Sequence, residues 1–291
     1  MIRKVSYKDI DFQKYEKCLE NSVQRNFYAK REILDFLCEA WELLIYGDYQ
    51  YIMPIPIKNK FGLNIALIPL FCQQLGVYSL EKNTNVEQEF LEYFRVNYKI
   101  YLYPFNSSNS FEEQLAPKKN YIIEKTAYSS LKKRYYKGRK SAVKSAQYLN
   151  LQIVSLDANI LNFINTHFKG LDKNSDKIFF QAYLEFLSAQ AFLKCYAAFE
   201  NDQLLSLAIV IQDDDTNYLL GLMNDPEFLN KNAASFLLDK IFEKEIANKK
   251  FSFMGGSIRG IELFFKSFGA ELECFPILQN NKKQLLMSLF R

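Results

Sequence analysis

The stretch FSFMGGSIRGIELFFKSFGA, from Phe251 to Ala270, constrains the fold more than any other part of this chain. Phe251 to Met254 is a short apolar run with strand character. Gly255, Gly256 and Ser257 then make a tight turn that lets the backbone approach a neighbour closely. Ile261, Phe264, Phe265 and Phe268 follow at i, i+3, i+4 and i+7, the apolar stripe of a helix. Glu262 and Lys266 stand four apart as a supporting ion pair, and Gly269 closes the helix as its C′ residue. Strand, glycine turn and helix in succession suit either a ligand site or an ordinary packing unit. The spacing is neither GxGxxG nor a P-loop.

A chain of 291 residues corresponds to about two domains. With 49% hydrophobic and 16% aromatic residues it can fill two cores. The opening MIRKVSYKDIDF has no apolar run of the kind a signal peptide needs. Phe61 to Leu80 is uncharged, but Gly62, Asn64, Pro69, Gln73, Gln74, Gly76 and Ser79 make it buried strand and loop rather than a membrane span. Cys18, Cys38, Cys72, Cys195 and Cys274 are scattered, without metal or disulfide spacing. They point to core packing in a reducing cytoplasm. The net charge of +4 is concentrated in one place. Lys132, Lys133, Arg134, Lys137, Arg139, Lys140 and Lys144 are all basic, while the remaining 30 basic residues face 33 acidic ones.

Taken in order, the first half reads as a strand at 4–6, helices at 9–20 and 30–39, and a hairpin of 41–46 and 49–58 turning at Gly47-Asp48. Pro54 and Pro56 place the far end of that hairpin at an edge or outside the ladder. A strand at 65–68, the loop PLFCQQLGVYS, a helix at 85–96 and strands at 99–103 and 121–124 follow. The basic segment reads as one helix with Leu131, Tyr135, Gly138, Ala142, Ser145 and Leu149 along one face. The second half reads as a strand at 151–155, helices at 157–168 and 176–188, and strands at 194–199, 204–212 and 217–223. A helix at 233–248, the opening unit, a strand at 272–278 and a closing helix at 282–290 complete it. The order β-α-α-β-β-β-α-β-α-β is complete there and degraded over residues 1–125.

That order resembles the GNAT acyltransferase superfamily. Tandem copies across a basic helix resemble the Fem-type peptidoglycan aminoacyltransferases. LKKRYYKGRKSAVKSAQYLNLQIV (131–154) is similar to the family's basic helix leading into the second domain. FMGGSIRGIELFFKSFGA (253–270) is similar to the family's strand, glycine, Phe-Lys helix and Phe-Gly ending, and PLFCQQLGVYS to a first-domain loop. The resemblance implies a mixed α/β chain of two tandem GNAT-like domains, each a mixed, mostly antiparallel sheet flanked by helices. It divides the chain into a degenerate domain at 1–125, a basic helical connector at 126–150 and a C-terminal domain at 151–291.

It further implies transfer of an acyl or aminoacyl group to an amine acceptor, a small molecule or a nucleotide-linked compound held in an interdomain groove, in cell-envelope or peptidoglycan-precursor metabolism. The strands at 217–223 and 251–254 would splay to admit the donor's arm, and a backbone N–H would hold the oxyanion. Met223, Asn224, Asn232, Ser235, Gly255, Gly256 and Ser257 are the candidate donor-binding residues. Gln73, Gln74, Gly76, Lys133, Arg134 and Arg139 are the candidate acceptor-binding residues. Asp225 and Glu227 are weak candidates for a catalytic base. NDPEFLNKNAAS (224–235) lacks the glycines that cradle a coenzyme A pyrophosphate at a helix N-terminus, so acyl-CoA and aminoacyl-tRNA both stay open as donors. The basic helix makes tRNA a candidate partner. No metal is expected, and the single histidine, His167, supports no triad or metal cluster. A non-catalytic ligand- or RNA-binding protein on the same fold is the alternative.

Overall fold

The structure, a computed structural model, describes residues 1–60, 62–281 and 285. The expected closing helix at 282–290 lies outside the described residues, apart from position 285. The chain forms two compact units. The first comprises Met1–Lys118 with Cys274–Arg291, and the second Lys119–Glu273.

The elements of the first unit are β1 (Ile2–Val5), α1 (Phe12–Glu20), α2 (Arg31–Leu37), β2 (Ala40–Tyr46), β3 (Tyr51–Lys60), β4 (Leu63–Leu67), β5 (Tyr78–Ser79), α3 (Thr84–Asn97) and β6 (Ile100–Pro104). Asp11 caps α1 by accepting the Lys14 N–H, and Asn83 caps α3 through Asn85 and Val86. The order β1-β2-β3-β4-β6 is antiparallel except for the parallel β4–β6 pair. The hairpin turn is longer than the two residues expected. Gly47 and Tyr49 both adopt positive φ, and the β3 ladder begins at Tyr51. Pro54 and Pro56 pair with β2, while β5 and β4 take only 51–52 and 57–60 on the other side of β3. The prolines fall in the gap between those two short ladders.

The chain continues through β7 (Ala116–Ile123), α4 (Tyr128–Arg134), α5 (Lys137–Ser145), β8 (Asn150–Val154), α6 (Ala158–His167), α7 (Asn174–Ala189), β9 (Leu193–Glu200), β10 (Gln203–Gln212) and β11 (Thr216–Asn224). A 3₁₀ turn, α8 (Ala233–Glu245), β12 (Lys250–Ser252), α9 (Arg259–Lys266) and β13 (Glu271–Gln279) follow. The second sheet runs β7-β12-β11-β10-β9-β8, with β11–β12 its parallel pair. The last part of β13 pairs with β6 in the first unit, and the last part of β7 pairs with β12 in the second. Each sheet thus takes in the strand that ends the other half of the element order.

The core of the second unit lies between its sheet and α4, α5, α8 and α9. Phe236, Leu237, Ile241 and Phe242 of α8 meet Tyr196, Ala208, Val210 and Leu219 of the strands, with Phe251, Phe253, Phe265 and Phe268 beside them. The expected single basic helix is two. Tyr135 ends α4 in extended conformation, and the Tyr136 N–H donates to Ser267 O at 2.9 Å. The break shifts the buried phase of α5, so Val143 and Ala146 are inside and Gly138 and Ser145 outside. The buried Asp239 of α8 fastens α4 by accepting the Tyr128 hydroxyl at 2.8 Å, with Lys132 Nζ 4.0 Å away. Asp239→Ala strands that hydroxyl over the core, and we expect a loss of about 2 kcal/mol in urea unfolding. Lys132→Ala, at the exposed end of the same cluster, should cost less than about 1 kcal/mol.

Candidate functional site

The site begins where β11 and β12 part. Their ladder consists of Thr216–Lys250, Asn217–Phe251 and Tyr218–Ser252, and ends there, while β11 runs on to Asn224 beside β10. Two local features separate the strands. On β11 the register against β10 shifts between Leu219–Val210 and Gly221–Ile209, so Leu220 is the extra residue of a bulge, which bends and twists the strand. On the other side the chain leaves β12 toward β7. The Phe253 N–H donates to Tyr121 O at 2.9 Å, Met254 takes φ +54°, and the Gly255 N–H donates to Asn120 Oδ1 at 3.1 Å. Gly256, at φ +133°, lies against the Tyr121 ring, where a Cβ would come 2.6 Å from Cε2. Gly255 has open space at its Cβ position, and Ser257 is exposed.

The first unit closes the corresponding opening. Beyond the β4–β6 pair, Leu75 bridges to Phe105 in parallel, and its N–H donates to Pro104 O at 2.9 Å. Gln73, Gln74 and Gly76 belong to that closing loop. The Gln74 Oε1 accepts the Ser107 N–H at 3.1 Å, and the Gly76 N–H donates to Tyr103 Oη at 3.0 Å. Gln74 Nε2 reaches Gln73 Oε1 at 3.3 Å, and of these side chains only Gln73 is half-exposed.

Beyond Asn224 the chain makes its 3₁₀ turn, Pro226–Lys231, into α8. Asp225 Oδ1 accepts the Glu227 N–H at 3.0 Å and so caps the turn; Glu227 is exposed. Asn232 enters α8 at φ +58° and gives it no side-chain cap. Its Nδ2 reaches Ser145 Oγ at 3.2 Å instead. The first helical residues are Ala233 and Ala234, so the uncapped N–H groups of α8 are flanked by small side chains. Arg139 of α5 lies beside them. Its Nη1 donates to Ser235 Oγ, its Nε to Ser267 Oγ at 2.8 Å, and its guanidinium sits 4.3 Å and 4.6 Å from the Phe264 and Phe268 ring centroids. No carboxylate pairs with it among the described residues, and burial lowers its pKa. A half-buried cation beside an uncapped helix N-terminus is an environment for an anion.

The structure therefore brings Arg139 together with Asn232 and Ser235, and sets Gly255 and Gly256 at the end of the parted strand. Met223 is buried, its carbonyl accepting the Ser206 hydroxyl at 2.8 Å. Arg134 donates to Gly269 O and pairs with Glu271 at 3.1 Å, whereas Lys133 makes no ion pair among the described residues.

Sequence reasoning missed Asn120 and Tyr121, which hold the glycine turn from the neighbouring strand β7; nothing local in KKNYII marks them. It also missed Phe168, stacked on Phe180 at 4.5 Å, which covers Gly221. A Cβ on Gly221 would meet Phe168 Cε2 at 3.2 Å. The Glu262–Lys266 pair, by contrast, is present at 2.7 Å. The Tyr121 hydroxyl also donates to Glu262 Oε1 at 2.7 Å, and Lys119 approaches Oε2 at 3.3 Å. Lys266 first, then Tyr121 and Lys119, hold the Glu262 carboxyl down at about 2. Lys266→Met should return it toward the ordinary carboxylate range, read by NMR titration of the Glu262 side chain.

Three solved structures share this architecture. The crystal structure of FemX superposes with a TM-score of 0.65 at 11% identity over 99% of this chain and 99% of its own. A tandem GNAT protein from the clavulanic acid biosynthesis pathway gives 0.56 at 7% identity, over 95% and 97%. The C-terminal domain of a putative lysylphosphatidylglycerol synthetase from Agrobacterium fabrum gives 0.52 at 9%, over 96% and 95%. No protein-family model and no curated protein matches the chain. The chain has the tandem GNAT fold that these structures share. The described residues contain no group of three or more side chains able to hold a metal ion, and no helix long and apolar enough to cross a membrane.

Proposed function

We propose that the second unit is the transfer half of an acyl- or aminoacyltransferase acting on an amine. The observation that carries this is the parting of β11 from β12 after Tyr218–Ser252, with a helix N-terminus lacking a side-chain cap and, in the same unit, a guanidinium with no carboxylate partner among the described residues. An acyl arm lying in that opening would meet backbone N–H groups of β11 with no ladder partner on the β12 side, and such donors stabilise the developing oxyanion. Holding donor and amine in register supplies much of the rate, so a strong base is not required. Asp225, engaged as a cap, and the exposed Glu227 remain the candidates for that lesser role.

The donor's phosphate would lie at the start of α8, against Asn232, Ser235 and Arg139, with Met223, Asn224, Gly255, Gly256 and Ser257 along the arm. Both acyl-CoA and aminoacyl-tRNA present an acyl carbonyl attached to a phosphorylated handle. Lys133 and Arg134 are the proposed acceptor contacts within the second unit, the acceptor being a cell-envelope precursor.

The test is a thermal-shift screen of acyl-CoAs, aminoacyl-tRNAs and nucleotide-linked peptidoglycan precursors. One donor class should raise the midpoint, and Arg139→Ala should weaken its binding about tenfold, the loss of one charge-assisted contact. The absence of glycine from 224–235 and the engagement of Asp225 favour a second reading, a binding protein without turnover. Donor binding without acyl transfer to any amine in the screen would establish it.

A further inference from the structure

We propose that Ser252 and Asn120 are the positioning residues that hold β12 off β11 and so make the opening between them. What the opening is used for rests on the transfer reading; how it is made does not.

Successive N–H groups of a strand point to opposite neighbours. The Lys250 N–H donates to Asp215 O at 2.9 Å, on the β11 side, and the Phe253 N–H to Tyr121 O at 2.9 Å, on the β7 side. Even-numbered N–H groups of this segment therefore serve β11. With Asn217 opposite Phe251 and Tyr218 opposite Ser252, the register brings the next of them, the Met254 N–H, to Leu219 O. It goes instead to Ser252 Oγ at 3.4 Å, and Met254 takes φ +54°. A side chain of β12 thus captures the donor that would carry the ladder one step further.

Ser252 is held in place for this. Its Oγ accepts from Asn120 Nδ2 at 3.1 Å, and both residues are buried. Asn120 Nδ2 also donates to Glu273 Oε2 at 2.9 Å, while Glu273 Oε1 pairs with Lys250 Nζ at 2.9 Å. An ionised carboxylate only accepts, so Glu273 fixes the Asn120 amide with its nitrogen toward Ser252. The amide oxygen is left for the Gly255 N–H, 3.1 Å away. Two consecutive backbone donors, Met254 and Gly255, are thereby bound to side chains rather than to β11. Without the Ser252 oxygen, Met254 gains by extending toward Leu219, because it also leaves the left-handed region.

The experiment is amide hydrogen exchange at Met254, read by NMR on the full chain, with acetyl-CoA and an aminoacyl-tRNA titrated in parallel. In Ser252→Ala the Met254 N–H joins the ladder, and its exchange should slow about fivefold to tenfold, the worth of one net backbone hydrogen bond. Ser252→Thr keeps the oxygen and should exchange like the wild type. Asn120→Asp still accepts from Gly255 but donates nothing to Ser252, and should slow exchange at Met254 in the same way. A donor entering the closed variants must first break the new bond, so its affinity should fall by the same factor. Unchanged or faster exchange at Met254 in Ser252→Ala and Asn120→Asp overturns the proposal, since a cluster that only adds stability would not lengthen the ladder. Slower exchange with donor binding absent or undiminished upholds the two positioning residues and removes the donor's arm from the opening.

Discussion

Gly256→Ala is expected to lower the thermal midpoint by on the order of 10 °C, from a destabilisation of about 3–4 kcal/mol. Two costs coincide at this residue. Its φ of +133° is a conformation that L side chains rarely adopt, and the added Cβ would lie 2.6 Å from Tyr121 Cε2. The ring cannot simply swing away: Tyr121 is buried, its hydroxyl donates to Glu262, and its carbonyl takes the Phe253 N–H. The turn that leads the chain away from β11 would have to move, so the variant should also lose ligand-induced stabilisation. Gly260→Ala is the control. Gly260 lies in α9 with nothing within 4 Å of its Cβ position, and helix propensity predicts no loss and a gain of up to about 1 kcal/mol.

Phe242→Ala should cost about 4 kcal/mol in urea unfolding, the range for truncating a fully buried aromatic. Its ring is the hub of the second core, 4.9 Å from Phe251, 5.6 Å from Phe268 and 6.2 Å from Phe253, each edge to face. Those partners come from β12, from the segment after it and from the end of α9. The cavity would therefore loosen the elements that border the parting of the strands. Phe242→Leu keeps most of the volume and should cost about 1–2 kcal/mol, the ring contacts alone. Equal losses for the two variants would show that the aromatic geometry, rather than the buried volume, dominates.

Most elements of the second half were legible because each has its own periodicity and punctuation: Asp157 before α6, the ENDQ turn between β9 and β10, the apolar face of α8. The glycine turn was legible for the same reason. Partnerships across the chain were not. The chain leaves β12 because Met254 and Gly256 turn out of the extended conformation, at φ +54° and +133°, and the Gly255 N–H goes to Asn120 Oδ1, 135 positions away in sequence. The start of β7 carries Pro117, Lys118 and Lys119, which have no strand pattern, so the strand expected at 121–124 begins earlier, at Ala116. Nothing in the run from Leu131 to Leu149 announces the break at Tyr135-Tyr136, which is set by a hydrogen bond to α9. The meeting of Arg139 with Ser235 is likewise tertiary: the sequence supplied both residues but assigned them to different ligands.

Calorimetric titration of a short-chain acyl-CoA and of an aminoacyl-tRNA into the wild type and into Arg139→Ala tests the central claim most directly. At least one donor should bind the wild type, compete with its own deacylated handle, and bind the variant about tenfold more weakly. Failure of both donors to bind the wild type, or equal affinity in Arg139→Ala, would contradict a donor site at the start of α8.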